Sequence, residues 1–295
     1  PFNNGIYQTT LVNDSGGAYN DWNFIGNPYP SAIDTNVFFT VNAGIVDNIY
    51  LWNQATPADA NAQGNEGLNF SSADYAVISA SGVNTAGGDL SLIPNDFVPS
   101  GQGFFVEALT SGPVTFNNSM RVTGNNNQFF RNSVSNNNSK VLWLNLKSDN
   151  GVAKQIAIAH LDGASDSDDG TFYDVKLNSA SATYAKLYSI INDGNQNEFV
   201  IQCKNPSSLG LEEEIALGFE NNIDSPTVFT ISIAQFEGDF YNENQIYLKD
   251  NLLNTIHNLK DSDYSFTSET GIFNSRFAIV FQDNALSTNE FDIEP

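Results

Sequence analysis

Thr227-Val-Phe-Thr-Ile-Ser-Ile233 puts Phe229, Ile231 and Ile233 in one phase and Thr230 and Ser232 in the other. Successive side chains of an extended chain point to opposite sides, so a period of two marks a strand with one buried face. Arg276-Phe-Ala-Ile-Val-Phe281 repeats the pattern, with Phe277, Ile279 and Phe281 in phase. Outward from these two, strands are predicted over 22–25, 48–52, 75–79, 103–107, 141–147, 154–160, 198–203, 213–219, 245–249 and 264–267. Turn formers separate many of them, among them Asn192-Asp-Gly194 and Asp162-Gly163. Helical periodicity is scarce, and residues 180–187 are expected to hold no more than a short turn. The chain therefore reads as all-β, in two consecutive antiparallel β-sandwich-like domains.

Gly124-Asn-Asn-Asn-Gln128 and Ser133-Val-Ser-Asn-Asn-Asn-Ser139 are polar and rich in turn formers, which sets the expected boundary. One domain is expected over 1–132, an Asn/Ser-rich linker over 133–139, a second domain over 140–284 and an exposed tail over 285–295. Phe129 and Phe130 lie between the polar tracts, so the connection is expected to dock. No repeat relates the two halves.

Composition narrows the function classes. The 295 residues are 40% hydrophobic, enough for a buried core, and carry 11 basic against 34 acidic side chains for a net charge of −23. Such a surface repels phosphate backbones and anionic lipids, so neither nucleic acid nor a membrane surface is an expected partner. Cys203 is the single cysteine, which excludes an intramolecular disulfide and a cysteine-built zinc site. His160 and His257 stand far apart in sequence, and no apolar run reaches the length of a membrane-spanning helix. The chain begins at Pro1 without a Met or a signal-peptide pattern, and is expected to be an excised or processed fragment.

Trp22-Asn-Phe-Ile-Gly-Asn-Pro-Tyr-Pro-Ser-Ala-Ile-Asp34 concentrates aromatic and backbone-restricting residues. Its two prolines fix φ and bias the residue before each toward extended backbone, so 27–31 should be a rigid loop, and a cis bond before Pro30 is admissible. Two readings stand side by side. Tyr29 with Trp22 and Trp52 forms an apolar platform for a sugar ring, or the same rings plug the end of a β unit. The densest acidic cluster holds Asp162, Asp166, Asp168 and Asp169, with Asp174 following. Crowded carboxylates in a turn are what a calcium ion requires, but the spacing is not that of an EF-hand and suits a solvated acidic loop equally. Asp14, Asp21 and Asp34 offer a second cation group or a carboxylate pair of the glycosidase kind, although accidental pairs are expected among so many acids. Gly101-Gln-Gly-Phe-Phe105 lacks the lysine of a phosphate loop and reads as a tight turn or bulge. No nucleophile elbow is present, and both histidines read as satisfying local hydrogen bonds. Glu212-Glu-Glu214 reads as a solvated strand edge. No catalytic constellation emerges, so the chain is not expected to be an enzyme, and any catalytic domain is expected to lie outside it.

The segment from Trp22 to Asp34 resembles a block of large secreted Bacteroidetes surface proteins. In that family it is followed by a Tyr-x-Trp strand, matched by Tyr50-Leu-Trp52, and by a segment matched by Phe97-Val-Pro-Ser-Gly-Gln-Gly-Phe-Phe-Val106. Phe116-Asn-Asn-Ser-Met-Arg121, Leu142-Trp-Leu-Asn-Leu146, Ile246-Tyr-Leu-Lys-Asp250 and Arg276-Phe-Ala-Ile-Val-Phe281 continue the likeness in order. In such proteins this region precedes a C-terminal type A sorting domain of the type IX secretion system. The resemblance implies export through the type IX machinery and display at, or release from, the outer-membrane surface, with the chain stopping about where that signal would begin. The expected function is a non-enzymatic cell-surface or secreted structural or adhesive module preceding the sorting signal. The alternative is a carbohydrate-binding accessory module of a secreted hydrolase, with surface glycans as partners and a structural calcium. Membrane insertion is not expected.

Overall fold

A computed structural model describes residues 3–14, 21–55, 57–58, 70–71, 74–126, 140–149, 151–177, 185–195 and 197–283. The expected linker 133–139 and tail 285–295, together with Phe129 and Phe130, lie outside the described residues. The first half contains β1 (Tyr7–Leu11), β2 (Trp22–Gly26), β3 (Ile33–Asp34), α1 (Thr35–Val41), β4 (Asn48–Trp52), β5 (Tyr75–Ser79), β6 (Phe97–Val98), β7 (Gly103–Glu107) and β8 (Gly112–Phe116). The second contains β9 (Lys140–Ser148), β10 (Ala153–His160), β11 (Val175–Lys176), β12 (Ala185–Ile190), β13 (Glu198–Lys204), β14 (Glu214–Asn221), β15 (Val228–Glu237), α2 (Asp239–Glu243), β16 (Tyr247–Asp250), β17 (Thr255–Asn258), β18 (Tyr264–Thr267) and β19 (Gly271–Val280). The described chain is all-β apart from short helices. Several predicted strands match to the residue, including β4, β5, β7 and β18.

In the first half, β2, β7, β4 and β5 form an antiparallel sheet in that order, flanked by the pairs β1–β8 and β3–β6. Period two sorts its side chains. Ile25, Phe104, Val106, Ile49, Leu51 and Ile78 face Phe38 and Phe39 of α1 and the β1–β8 ladder, and this cluster is the first core. Helix α1 was not anticipated, because Val37-Phe-Phe-Thr-Val41 is rich in strand-favouring types. It forms because the Asp34 side chain accepts from the Asn36 and Val37 backbone N–H groups, which caps its first turn.

The second half is one long sheet, in the order β17-β16-β19-β14-β12-β13-β10-β9-β15-β18, with β11 also on β13. It is antiparallel except for β10 beside β13, which run parallel. The expected short turn over 180–187 is corrected where it is described, since Ala185–Ile190 is a strand paired with β14. The sheet bends over on itself. Phe219 of β14 meets Phe229 of β15 and Phe266 of β18, each at 5.1 Å between ring centroids, although these strands are not ladder neighbours.

The second core does not stop at the expected boundary. Tyr50, Val77, Val83, Ala86 and Ile93 of the first half are buried in one cluster with Trp143, Ile158, Ile201 and Cys203 of the second. Polar contacts cross the same plane. Trp143 Nε1 donates to the Asn84 carbonyl at 2.7 Å, and the buried Gln155 accepts from the Ala86 N–H at 2.8 Å and donates to the Leu90 carbonyl at 3.3 Å.

Candidate functional site

The face of the four-stranded sheet opposite the first core carries the aromatic side chains. Ladder register places Phe24 beside Phe105, Phe105 beside Tyr50, and Trp52 beside Tyr75, while Trp22 lies two residues before Phe24 on the same face. The rings form a continuous row. Centroid separations are 4.9 Å for Phe24–Phe105, 5.8 Å for Phe105–Trp22, 5.6 Å for Trp22–Tyr75, 4.8 Å for Tyr75–Trp52 and 5.7 Å for Trp52–Phe70. Tyr50 stacks under Trp22 at 4.5 Å and enters the core shared by the halves, and Trp22, Tyr75 and Phe105 pack, partly buried, against that same core. At the outer side Phe24 is 66% exposed, Phe70 45% and Trp52 36%.

Gly103 is what lays Phe24 down. A Cβ on Gly103 would come within 2.4 Å of the Phe24 ring, so only glycine lets that ring lie across the neighbouring strand. Gly101 has the different task of turning the chain at φ +71° before β7. Gly101 thus serves the expected tight turn, whereas Gly103 serves a close approach.

Acidic groups stand beside the row at the junction. The Tyr50 hydroxyl donates to Glu107 at 3.2 Å, and Asp21 is hydrogen-bonded to the same carboxyl. Burial, reinforced by the Asp21 charge, holds the Glu107 carboxyl above its ordinary range. Asp34 caps α1, and its charge adds to the burial that raises the Asp96 carboxyl.

The structure therefore brings Trp22 and Trp52 to one face through Tyr75 and puts Tyr29 elsewhere. Tyr29 is 2% exposed, belongs to the first core, and donates its hydroxyl to the Gly5 carbonyl at 2.5 Å beneath the Arg121 guanidinium. The loop that holds it is built by Asn27, whose amide donates to the carbonyls of Ser31, Val98 and Pro99 while its oxygen accepts from the Tyr29 N–H. No cis peptide occurs among the described residues, so the bond before Pro30 is trans. Sequence reading missed Phe24, Phe105, Tyr75 and Phe70. The two-residue phase of Trp22 and Phe24 was the available signal for the first of them.

Four of the five carboxylates of the acidic loop turn to separate partners. Asp166 meets Lys204 at 3.4 Å and accepts from Ser208. Asp168 accepts from the Gly170 N–H, and Asp169 accepts from the Ser165 N–H and hydroxyl. Asp174, fully buried, accepts from the Cys203 and Asp169 N–H groups. Burial pushes the Asp174 carboxyl up to about 6 against the pull of those bonds, and the charges of Asp169 and Asp168 add to the rise. Asp162 contributes its backbone carbonyl, to Tyr173. Among the described residues no group of three or more His, Cys, Asp or Glu is placed to hold a metal ion.

The remaining reactive side chains are tied into packing. His160 lies with Nε2 3.1 Å from both Glu213 oxygens and Nδ1 3.3 Å from the Tyr241 hydroxyl. This corrects the reading of Glu212-Glu-Glu214 as a wholly solvated edge, since the Glu213 side chain is 6% exposed and also pairs with Lys204. His257 faces the Ser262 carbonyl at 2.8 Å. Burial, with the Asp174 charge adding, pushes the Cys203 thiol up to about 12, which leaves it protonated and unreactive at neutral pH.

A family model described as a domain of unknown function, DUF8693, matches residues 1–281, and the chain belongs to that family. No curated protein and no solved structure matches it.

Proposed function

We propose that this DUF8693 member is a non-enzymatic structural or adhesive module of a secreted or surface-displayed protein, exported ahead of a type IX sorting signal. In this reading the chain is two β-sandwich-like units welded face to face. The observation that carries it is the weld. A core continuous across both halves, with buried Gln155 and Trp143 bonded to backbone of the first half, supports reading them as one stiff body. A module that holds others at a surface needs such stiffness, whereas hinged domains meet across smaller, more polar contacts. The acidic surface keeps the body soluble and resists nonspecific association.

Peptide-mapping mass spectrometry of medium, outer-membrane and cytosolic fractions from the native cells tests the reading. Peptides of this chain in the medium or on the outer membrane, within a precursor that extends to a sorting signal, are expected. Confinement to the cytosol would overturn it.

A further inference from the structure

We propose that the junction between the halves is an acid-tightened clamp, in which Glu107 and Asp21 of the first half hold one proton between them and Asp174 of the second takes up another as the medium acidifies. The device belongs to the fold and does not depend on where the chain is displayed. The acidic loop before β11 reaches the first half at Asp47 and Asn48. The Thr171 hydroxyl donates to Asp47 at 2.7 Å, and the Asn48 amide donates to the Thr171 carbonyl at 3.3 Å. Ladder register sets Glu107 opposite Trp22 and so next to Asp21, and the two side chains are hydrogen-bonded to each other. Two carboxyl groups share a hydrogen bond only when one carries a proton, since an ionised carboxylate only accepts. The groups facing Glu107 are Asp21 ahead of β2, the Tyr50 hydroxyl of β4 and Lys176 of β11, and Lys176 is shared with Asp168 at 4.0 Å. Asp174 is fully buried and accepts from the Cys203 and Asp169 N–H groups, which ties the root of the loop to β13. The titratable groups facing it are Asp169 and Asp168 of its own loop and the Cys203 thiol of β13, each an acid rather than a cation. A carboxylate buried among acids costs free energy when ionised that it does not cost when protonated.

Burial accordingly moves Asp174 from 3.8 to about 6, and burial with the Asp21 charge raises Glu107. The folded chain therefore holds protons that the unfolded chain releases. Their contribution to stability is full below the ordinary carboxyl value of about 4 and is lost as pH rises through about 6. The test is urea unfolding of the full chain from about pH 7 to about pH 4.5, with carbon-13 NMR of its carboxyl groups. The wild-type folding constant should rise as pH falls, by up to about tenfold per pH unit for each proton taken up. The net charge of −23 also favours folding in acid, so Glu269→Gln, at an exposed carboxyl, is the control and should keep the wild-type slope. Glu107→Gln can accept from Tyr50 and donate to Asp21 as the protonated pair does. It should unfold at higher urea than the wild type at pH 7 and show a shallower pH slope. Asp174→Asn should also flatten the slope, and the Asp174 carboxyl resonance of the wild type should titrate at about 6. That resonance decides the point for Asp174 if its variant does not fold. A wild-type slope retained in both variants, an Asp174 carboxyl that titrates at its ordinary 3.8, or a Glu107→Gln protein weaker than the wild type at pH 7 overturns the proposal.

Discussion

Lys154 sits on β10 at 8% exposure, and burial, helped by the charge of nearby Lys186, lowers its ammonium to about 8. A lysine lowered in the folded state opposes folding while both states carry the proton. The native chain sheds its proton at about 8, and the unfolded chain holds its own to about 10.4. Stability from this residue therefore rises with pH across that window. Lys154→Met is expected to stabilise the protein at pH 7 by roughly 2–3 kcal/mol, and the gain should shrink between pH 8 and 10. Urea unfolding of both proteins at several pH values measures it, and a gain independent of pH would refute the account. At this scale residue type was a poor guide to role. Tyr29 and Trp52 read alike as sugar-stacking rings, yet one is sealed in a core and the other half open, a difference of neighbours rather than of chemistry.

The bent sheet is held where β18 meets the ladder pair β16 and β19, with which it shares no ladder. The Arg276 guanidinium of β19 lies against the Phe266 and Phe277 rings at 4.7 Å and donates to Asp250 at the end of β16, with Nη2 to Oδ2 at 3.0 Å. Asp250 also accepts from the Tyr264 hydroxyl of β18 and from the Leu252 and Leu253 N–H groups of the following turn. Asp250→Ala would leave a buried guanidinium unpaired and should cost about 3–5 kcal/mol in chemical denaturation. Replacing Asp250 and Arg276 together by apolar residues should recover part of that loss, and an additive double loss would contradict the pairing argument. Strands of this kind were legible because alternation is written in consecutive residues. Helix α1 was hidden, since six of its seven residues favour strands and its one cap is a weak local signal, which burial of Phe38 and Phe39 overrides.

At the scale of the molecule, Gln155 ties the halves. Its removal would strand the Ala86 N–H, the Leu90 carbonyl and the Asn145 side-chain oxygen in a buried plane. Gln155→Ala should therefore cost about 2–4 kcal/mol, whereas Gln8→Ala, losing one exposed bond to Thr115, should cost no more than about 0.5 kcal/mol. Thermal and urea unfolding of the wild type should show a single transition. Equal midpoints for the two variants would remove Gln155 from the weld. By itself the sequence determined the all-β class, most strand positions and the net acidic charge, because each follows from local period, turn chemistry or summed charge. Tertiary structure decided that the second core reaches into the first half, that the carboxylates of Asp166, Asp168, Asp169 and Asp174 turn to separate partners, and that Trp22 and Trp52 meet through Tyr75 while Tyr29 is buried. Those outcomes depend on which strands lie side by side and which faces meet, and no local period carries that information.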